Sequence, residues 1–237
     1  MLKFWGRGSG FTDNHTSAFF VENNELIMID CSITAFARII KNDLSTLNNG
    51  EEIKRIIIAV THTHSDHVSG IPLLIHYAFY LLHLPVTVVA PSEEVLEDLS
   101  FFISHMDGCN PRGYEVVLAG DGDFTWLKEV IPTSHAPELE GRCFGYCLEV
   151  EGKRVVYTGD TNRIEDFIPY LTEGCYFFTE CSLHISPVHT EVHMILKLQD
   201  LFDKLNAHVY LMHLDNEEAI KERIAGSKLE FAPLYGI

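Results

Sequence analysis

The chain concentrates its chemistry in Thr61-His62-Thr63-His64-Ser65-Asp66-His67, which puts three imidazoles and a carboxylate inside six residues. The segment follows Ile56-Ile57-Ile58-Ala59-Val60, a β-branched apolar run that reads as a buried strand. The histidines therefore fall on the loop at a strand's end, where a rigid scaffold presents functional groups. Neutral imidazole and ionised carboxylate suit zinc, manganese or iron, whereas a purely structural zinc site recruits thiolates. In an extended segment His62, His64 and Asp66 point one way and Thr63 and Ser65 the other. His67 breaks the alternation, and a turn there lets Asp66 and His67 diverge toward a second ion. A chain with 13 histidines holds some pairs by chance, but chance does not supply this spacing.

Four groups in one cluster cannot close two metal sites, so further ligands are expected at other strand ends. Three residues qualify: His135 after Phe124 to Ile131, Asp160 after Val155 to Thr158, and His213 after Val209 to Met212. Each alone reads as a solvated strand end. Their common placement points to function.

The elements that must position these residues begin with strands Leu2 to Trp5, Ser17 to Val21 and Leu26 to Asp30, divided by Gly6-Arg7-Gly8-Ser9-Gly10 and Glu22-Asn23-Asn24-Glu25. A helix over Ile33 to Asn42 precedes the Ile56 to Val60 strand. Ile71 to Leu84 reads as a helix apolar on most of its circumference, either sandwiched in the core or part of a subunit interface. Val86 to Ala90 is a strand, and Pro91-Ser92-Glu93-Glu94 opens a helix with a serine cap and acidic first turn. Strands follow over Glu115 to Leu118, Phe124 to Ile131, Phe144 to Glu149 and Val155 to Thr158, with Gly152-Lys153 as a hairpin turn. A short helix Ile164 to Leu171, strand Tyr176 to Thr179, helix Thr190 to Leu205, strand Val209 to Met212 and helix Asn216 to Ile224 complete the chain. A strand-rich block followed by a mixed block, twice over, predicts an α+β fold, a four-layer αββα sandwich.

No linker or low-complexity stretch divides the 237 residues, which are expected to form one domain over residues 1–237. No apolar run reaches spanning length and no basic n-region opens the chain, so a cytoplasmic protein with no membrane partner is expected. The six cysteines read as small buried apolar residues rather than a disulfide framework. Seventeen basic against 34 acidic side chains give a net charge of -17, which disfavours tRNA or any other long nucleic acid as a partner. A small substrate held mainly by metal ions is compatible with it. Ile71 to Leu84 and Phe101-Phe102 are consistent with a homodimer, and equally with core packing.

As a set, these elements strongly resemble the metallo-β-lactamase superfamily, whose signature is an HxHxDH loop followed by a His, an Asp and a His at successive strand ends. The resemblance covers nearly the whole chain and implies the αββα sandwich with two divalent ions, zinc first, with manganese or iron as alternatives. It implies that His62, His64 and His135 bind one ion, Asp66, His67 and His213 the other, and that Asp160 bridges them. Within the superfamily the chain is most similar to the ribonuclease Z-like branch. That likeness rests on Gly6-Arg7-Gly8-Ser9-Gly10 with Asn14 and Thr16-Ser17, on Gly70-Ile71-Pro72, and on Thr179-Glu180-Cys181-Ser182. Singly, these also read as a turn, a helix N1 proline and a solvated carboxylate.

The tRNA-processing members carry a long basic arm between the third and fourth motifs. Here His135 to Asp160 has room only for a short loop and two strands, and it carries Glu138, Glu140, Glu149 and Glu151. The chain thus reads as lacking the tRNA-binding arm. A histidine that assists tRNA cleavage in that branch precedes the last helix, and both His189 and His193 fit it, each also readable as a solvated helix-start residue.

The expected function is a metal-dependent hydrolase of ester bonds, a phosphodiesterase in which a metal-bridging hydroxide attacks a small phosphodiester or related ester. Asp160 would orient the nucleophile, Asp66 would accept its proton, and His189 or His193 would protonate the leaving oxygen. Lactone or thioester hydrolysis is the alternative, because ligand sets report the metal and not the substrate. Arg142 and Arg163 are the basic residues near His135 and Asp160 that would favour phosphate. From another class comes a non-catalytic metal-dependent sensor or binding protein, which the complete set of seven ligands argues against.

Overall fold

A computed structural model describes residues 1–236. The chain forms two compact units, each built on a six-stranded sheet.

The first unit comprises residues 2–6, 13–123 and 234–236. Its sheet runs β1 (Lys3–Gly6), β2 (Ser17–Glu22), β3 (Glu25–Ile29), β4 (Arg55–Ala59), β5 (Val86–Ala90), β6 (Tyr114–Leu118), in that spatial order. The β1–β2 and β2–β3 pairings are antiparallel and the remaining three are parallel. Strands β3 to β5 are buried along nearly their whole length, which is why they read as continuous apolar runs rather than alternating ones. Ile29, Ala59 and Val89 are mutual register partners, so the chain leaves β3 and β4 at the same sheet edge.

The helices of this unit are α1 (Ile33–Ile39), α2 (Ser65–Val68), α3 (Ile71–Tyr77) and α4 (Glu93–Phe101). Ser32 and Ser92 cap α1 and α4 through their side chains. Two helices depart from the sequence expectation. The first ends at Ile39 rather than Asn42, and the one expected over Ile71 to Leu84 is α-helical only through Tyr77. There it widens into a π turn over Ala78–Leu82, closed by His83 at φ 56°. A second π turn, Phe102–Met106, extends α4.

The second unit comprises Met1 and residues 7–12 and 124–233. Its sheet runs β12 (Glu230–Phe231), β11 (His208–Met212), β10 (Tyr176–Glu180), β9 (Lys153–Tyr157), β8 (Phe144–Val150), β7 (Leu127–Pro132). Again the earlier strands, β7 to β9, pair antiparallel and the later ones, β9 to β12, parallel. The repetition of strand-rich and mixed blocks expected from the sequence is therefore present once in each unit.

Helices α5 (Val192–Leu196), α6 (Gln199–Lys204) and α7 (Glu217–Arg223) belong here. The single helix expected over Thr190 to Leu205 is thus two, interrupted at Lys197 and Leu198. Residues Ile164–Tyr170 form a 3-10 run, not an α-helix, and hold Pro169, which has no N–H to offer an α ladder. The β8–β9 hairpin turns at Glu151-Gly152 rather than Gly152-Lys153. Both turn residues have positive φ, 54° and 71°, the requirement of a type I′ turn.

Residues 7–12, the rest of the glycine-rich opening after Gly6, belong to this second unit. Ser9 N–H donates to Leu214 O and Leu214 N–H to Arg7 O, at 3.0 and 2.9 Å. The Arg7 guanidinium forks onto Glu217 at 3.0 and 2.6 Å and also donates to Ala232 O at 2.7 Å. All six cysteines are buried and free. Among the described residues no helix is long and apolar enough to cross a membrane.

Candidate functional site

In the first unit, β4 delivers His62 directly, but the extended reading of the loop holds only as far as His64. That residue, at φ −62° and ψ 148°, is the N-cap of α2, and Asp66 and His67 lie within the helix. The helix forms because the loop closes on the turn after β3. Cys31 N–H donates to His67 O at 2.8 Å, and Gly70 N–H donates to Cys31 O at 2.9 Å. A Cβ on Gly70 would lie 2.2 Å from the Ser32 carbonyl oxygen, so only glycine permits this approach.

Asp30, fully buried at the end of β3 with φ 60°, organises the histidines. Its Oδ1 accepts from Thr61 N–H at 2.7 Å. Its Oδ2 accepts from Thr61 Oγ1–H at 2.7 Å and from His67 Nδ1–H at 2.8 Å. With its own proton committed to Asp30, Thr61 Oγ1 accepts from His62 Nδ1–H at 3.0 Å. One carboxylate thereby fixes the tautomers of two imidazoles and leaves Nε2 of each with its lone pair. His62 Nε2 lies 3.0 Å from His64 Nδ1, and His67 Nε2 lies 3.4 Å from Asp66 Oδ2. Convergent lone pairs and a carboxylate, oriented from behind by a second carboxylate, suit a divalent cation.

In the second unit, the parallel strands β9, β10 and β11 place Asp160, Glu180 and His213 at their C-terminal ends, while His135 follows β7. All four are buried. His213 Nε2 lies 3.2 Å and His135 Nε2 3.7 Å from Asp160 Oδ2. His135 Nδ1–H donates to Val188 O at 2.7 Å, which again leaves the lone pair on Nε2.

Glu180 is the anchor behind this set. It accepts from Thr161 N–H, and its Oε2 accepts from His189 Nδ1–H at 2.7 Å. Burial pushes its carboxyl upward, the hydrogen bond from His189 pulls it back, and the nearby Asp160 charge raises it again. His189 therefore stands among the donors, its ring 4.9 Å from that of His135 and 5.1 Å from that of His213. His135, Glu180 and His189 bring one donor atom each within 4.8 Å of one another. His193 stands differently: half exposed, it pairs with Glu191 at 2.7 Å. Both histidines line a cavity of about 220 Å³ with Asn162, Ser186 and Met194. Arg163 is 63% exposed and pairs with Asp166, and Arg142 donates to Glu138 O.

Asp30 carried no role in the sequence reading, and Glu180 entered only through a family likeness. A usable signal existed in each: a carboxylate closing an otherwise apolar strand, Leu26-Ile27-Met28-Ile29-Asp30 and Tyr176-Phe177-Phe178-Thr179-Glu180. Charges at such positions are not fully buried unless paired.

A family model described as "Beta-lactamase superfamily domain" matches residues 25–221. The anti-Pycsar protein Apyc1 of Bacillus phage BSP38 is 25% identical over 241 residues, spanning 92% of this chain and 90% of its own. The metallo-beta-lactamase fold protein YhfI of Bacillus subtilis superposes with a TM-score of 0.72 at 13% identity, covering 98% of this chain and 95% of its own. A diphosphatase of the PhnP family superposes with a TM-score of 0.68 at 17% identity, covering 98% and 94%.

Proposed function

This chain belongs to the beta-lactamase superfamily of metallo-hydrolases and has the α+β metallo-β-lactamase fold, and we propose that within it the protein is a dinuclear metal-dependent hydrolase of a small phosphodiester. His62, His64 and His135 would hold one ion, Asp66, His67 and His213 the other, and Asp160 both. Zinc is the expected metal, and manganese and iron suit the same donors. When bound, two such ions supply an acidified water and positive charge to offset that developing on phosphoryl oxygens.

The chain's own residues do the rest. Asp66 takes the proton of the attacking water as its oxygen adds to phosphorus. The bond from phosphorus to the leaving oxygen breaks, and His189 delivers a proton from Nε2 to that oxygen. The observation that carries this reading is the His189–Glu180 pair. A ring beside His135 and His213, with its Nδ1 held at 2.7 Å by a fully buried carboxylate, has its Nε2 set in a fixed direction. A solvated helix-start histidine would need no such anchor.

Two features favour a small substrate over tRNA. Between His135 and Asp160 the chain makes only a 3-10 turn, Pro137–Leu139, and the β8–β9 hairpin. The net charge of -17 opposes any surface that tracks a phosphate backbone. Phosphate chemistry on this fold is represented by the PhnP-family diphosphatase.

The test is a panel of a bis-aryl phosphodiester, an acyl lactone, a thioester and a tRNA precursor, run on zinc- and manganese-loaded protein. Phosphodiester turnover should dominate. His189→Ala should lower kcat by roughly 10²–10⁴ while His193→Ala changes it by less than about two-fold. Preferred lactone hydrolysis, an unaffected His189→Ala variant, or metal binding without any turnover would each defeat the proposal.

A further inference from the structure

Outside the donor sets above, His76, Asp107 and Cys109 turn one atom each toward a common point. His76 Nε2 lies 3.0 Å from Asp107 Oδ2 and 3.7 Å from Cys109 Sγ, and Sγ lies 3.7 Å from the same carboxylate oxygen. The residue types invite comparison with a nucleophile relay, but the geometry denies it. A relay needs the imidazole to meet its nucleophile with one nitrogen and its carboxylate with the other. Here a single nitrogen faces both. Three donors on a triangle of these dimensions instead enclose a point about 2 Å from each, close to the lengths of zinc bonds to nitrogen, oxygen and sulfur.

The helices account for the convergence. His76 lies near the end of α3, just before the first π turn. Asp107 and Cys109 follow the second, where Asp107 N–H donates to Phe102 O at 3.1 Å and Cys109 N–H to Ile103 O at 3.0 Å. Widened turns of this kind recur at functional sites. Cys109 is buried, whereas the side chains of His76 and Asp107 are 33% and 37% exposed, so the triangle is open to water on one side.

We propose that His76, Asp107 and Cys109 form a second metal site, separate from the hydrolytic residues, which takes a zinc-class dication with Cys109 as thiolate and water in the fourth position. The thiolate and carboxylate together balance the ion's charge, and the thiol's proton passes to solvent on binding. The bound ion would fasten the end of α3 to the segment that follows α4. The inference does not depend on the hydrolytic reading.

The experiment is cobalt(II) substitution of the full-length protein. The seven residues assigned to the hydrolytic centre are histidine and aspartate, so a thiolate-to-cobalt charge-transfer band in the near ultraviolet reports sulfur ligation alone. The band should be present in the wild type and in Cys31→Ser, the control for the buried thiol beside Asp30, and lost in Cys109→Ser and His76→Ala. Zinc content should fall by one ion per chain in those two variants. No band in the wild type, or a band and a zinc content that survive Cys109→Ser, would overturn the proposal. If Cys109→Ser fails to fold, the half-exposed His76→Ala and Asp107→Asn variants give the same reading.

Discussion

Replacing Asp30 by asparagine probes the histidine loop without touching any residue assigned as a ligand. The carboxylate is fully buried and accepts three hydrogen bonds, two on Oδ2 and one on Oδ1. An amide keeps one acceptor and turns the other position into a donor. If the amide oxygen stays with Thr61 N–H, the NH₂ group meets Thr61 Oγ1 and His67 Nδ1, which must both become acceptors. His67 then carries its proton on Nε2. Thr61 Oγ1–H swings to His62 Nδ1, and His62 also moves its proton to Nε2, so both rings lose the lone pair that faces outward. The opposite amide rotamer sets NH₂ against Thr61 N–H, a buried donor–donor conflict costing about 1–3 kcal/mol. Loss of one outer partner of a ligating histidine typically lowers metal affinity 10- to 100-fold. With two rings affected, the expected loss is about 100-fold, or ~2.7 kcal/mol. Competition with a chromophoric chelator measures it, with a melting curve to confirm folding. An Asp30→Asn protein that folds and binds zinc within about three-fold of wild type would refute the tautomer argument.

Two further substitutions follow from the same loop and from the cysteine cluster. Gly70→Ala forces a methyl to within 2.2 Å of the Ser32 carbonyl, and overpacking of that kind costs about 1–3 kcal/mol. Calorimetry should show Tm lowered by several degrees, and an unchanged Tm would contradict the claim that the loop closes this tightly. Burial first, and the Asp107 charge second, push the Cys109 thiol from 9.0 up to about 12. The folded protein thus holds this proton more firmly than the unfolded chain, a contribution fully present below pH 9 and lost as pH rises toward 12. In chelator-treated protein, wild type should lose more stability than Cys109→Ser between those pH values, as read by urea unfolding, and parallel profiles would contradict it.

The parts of the fold legible in the sequence were those written as continuous apolar runs. β3, β4 and β5 announce themselves because strands buried along their length need no polar alternation. Two of the candidate donors stand out for a related reason, His62 just after β4 and His213 just after β11. What escaped were features decided by contacts distant in sequence. The helical turn at Ser65–Val68 depends on Cys31 and Gly70, and it is His189 rather than His193 that reaches Glu180. Nothing local distinguishes those two histidines. Only a buried carboxylate brought in by β10 does.

The way the chain is shared between its sheets bears on how it can be made and cut. β1 belongs to the first unit, residues 7–12 to the second, and residues 234–236 to the first again. Leu234 bridges to Phe4, Tyr235 N–H donates to Phe4 O at 2.9 Å, and the Tyr235 ring meets those of Trp5 and Phe19 edge-on at 5.4 Å. A polypeptide emerging from the ribosome through residue 123 therefore holds all six strands of its sheet but not the tyrosine that covers their outermost aromatic pair. Each half produced by severing the backbone at 123–124 lacks residues that its own unit includes, 234–236 for the first and 7–12 for the second. Split-protein reporters or domain shuffles built on this scaffold would have to carry both the opening and the closing residues on one fragment.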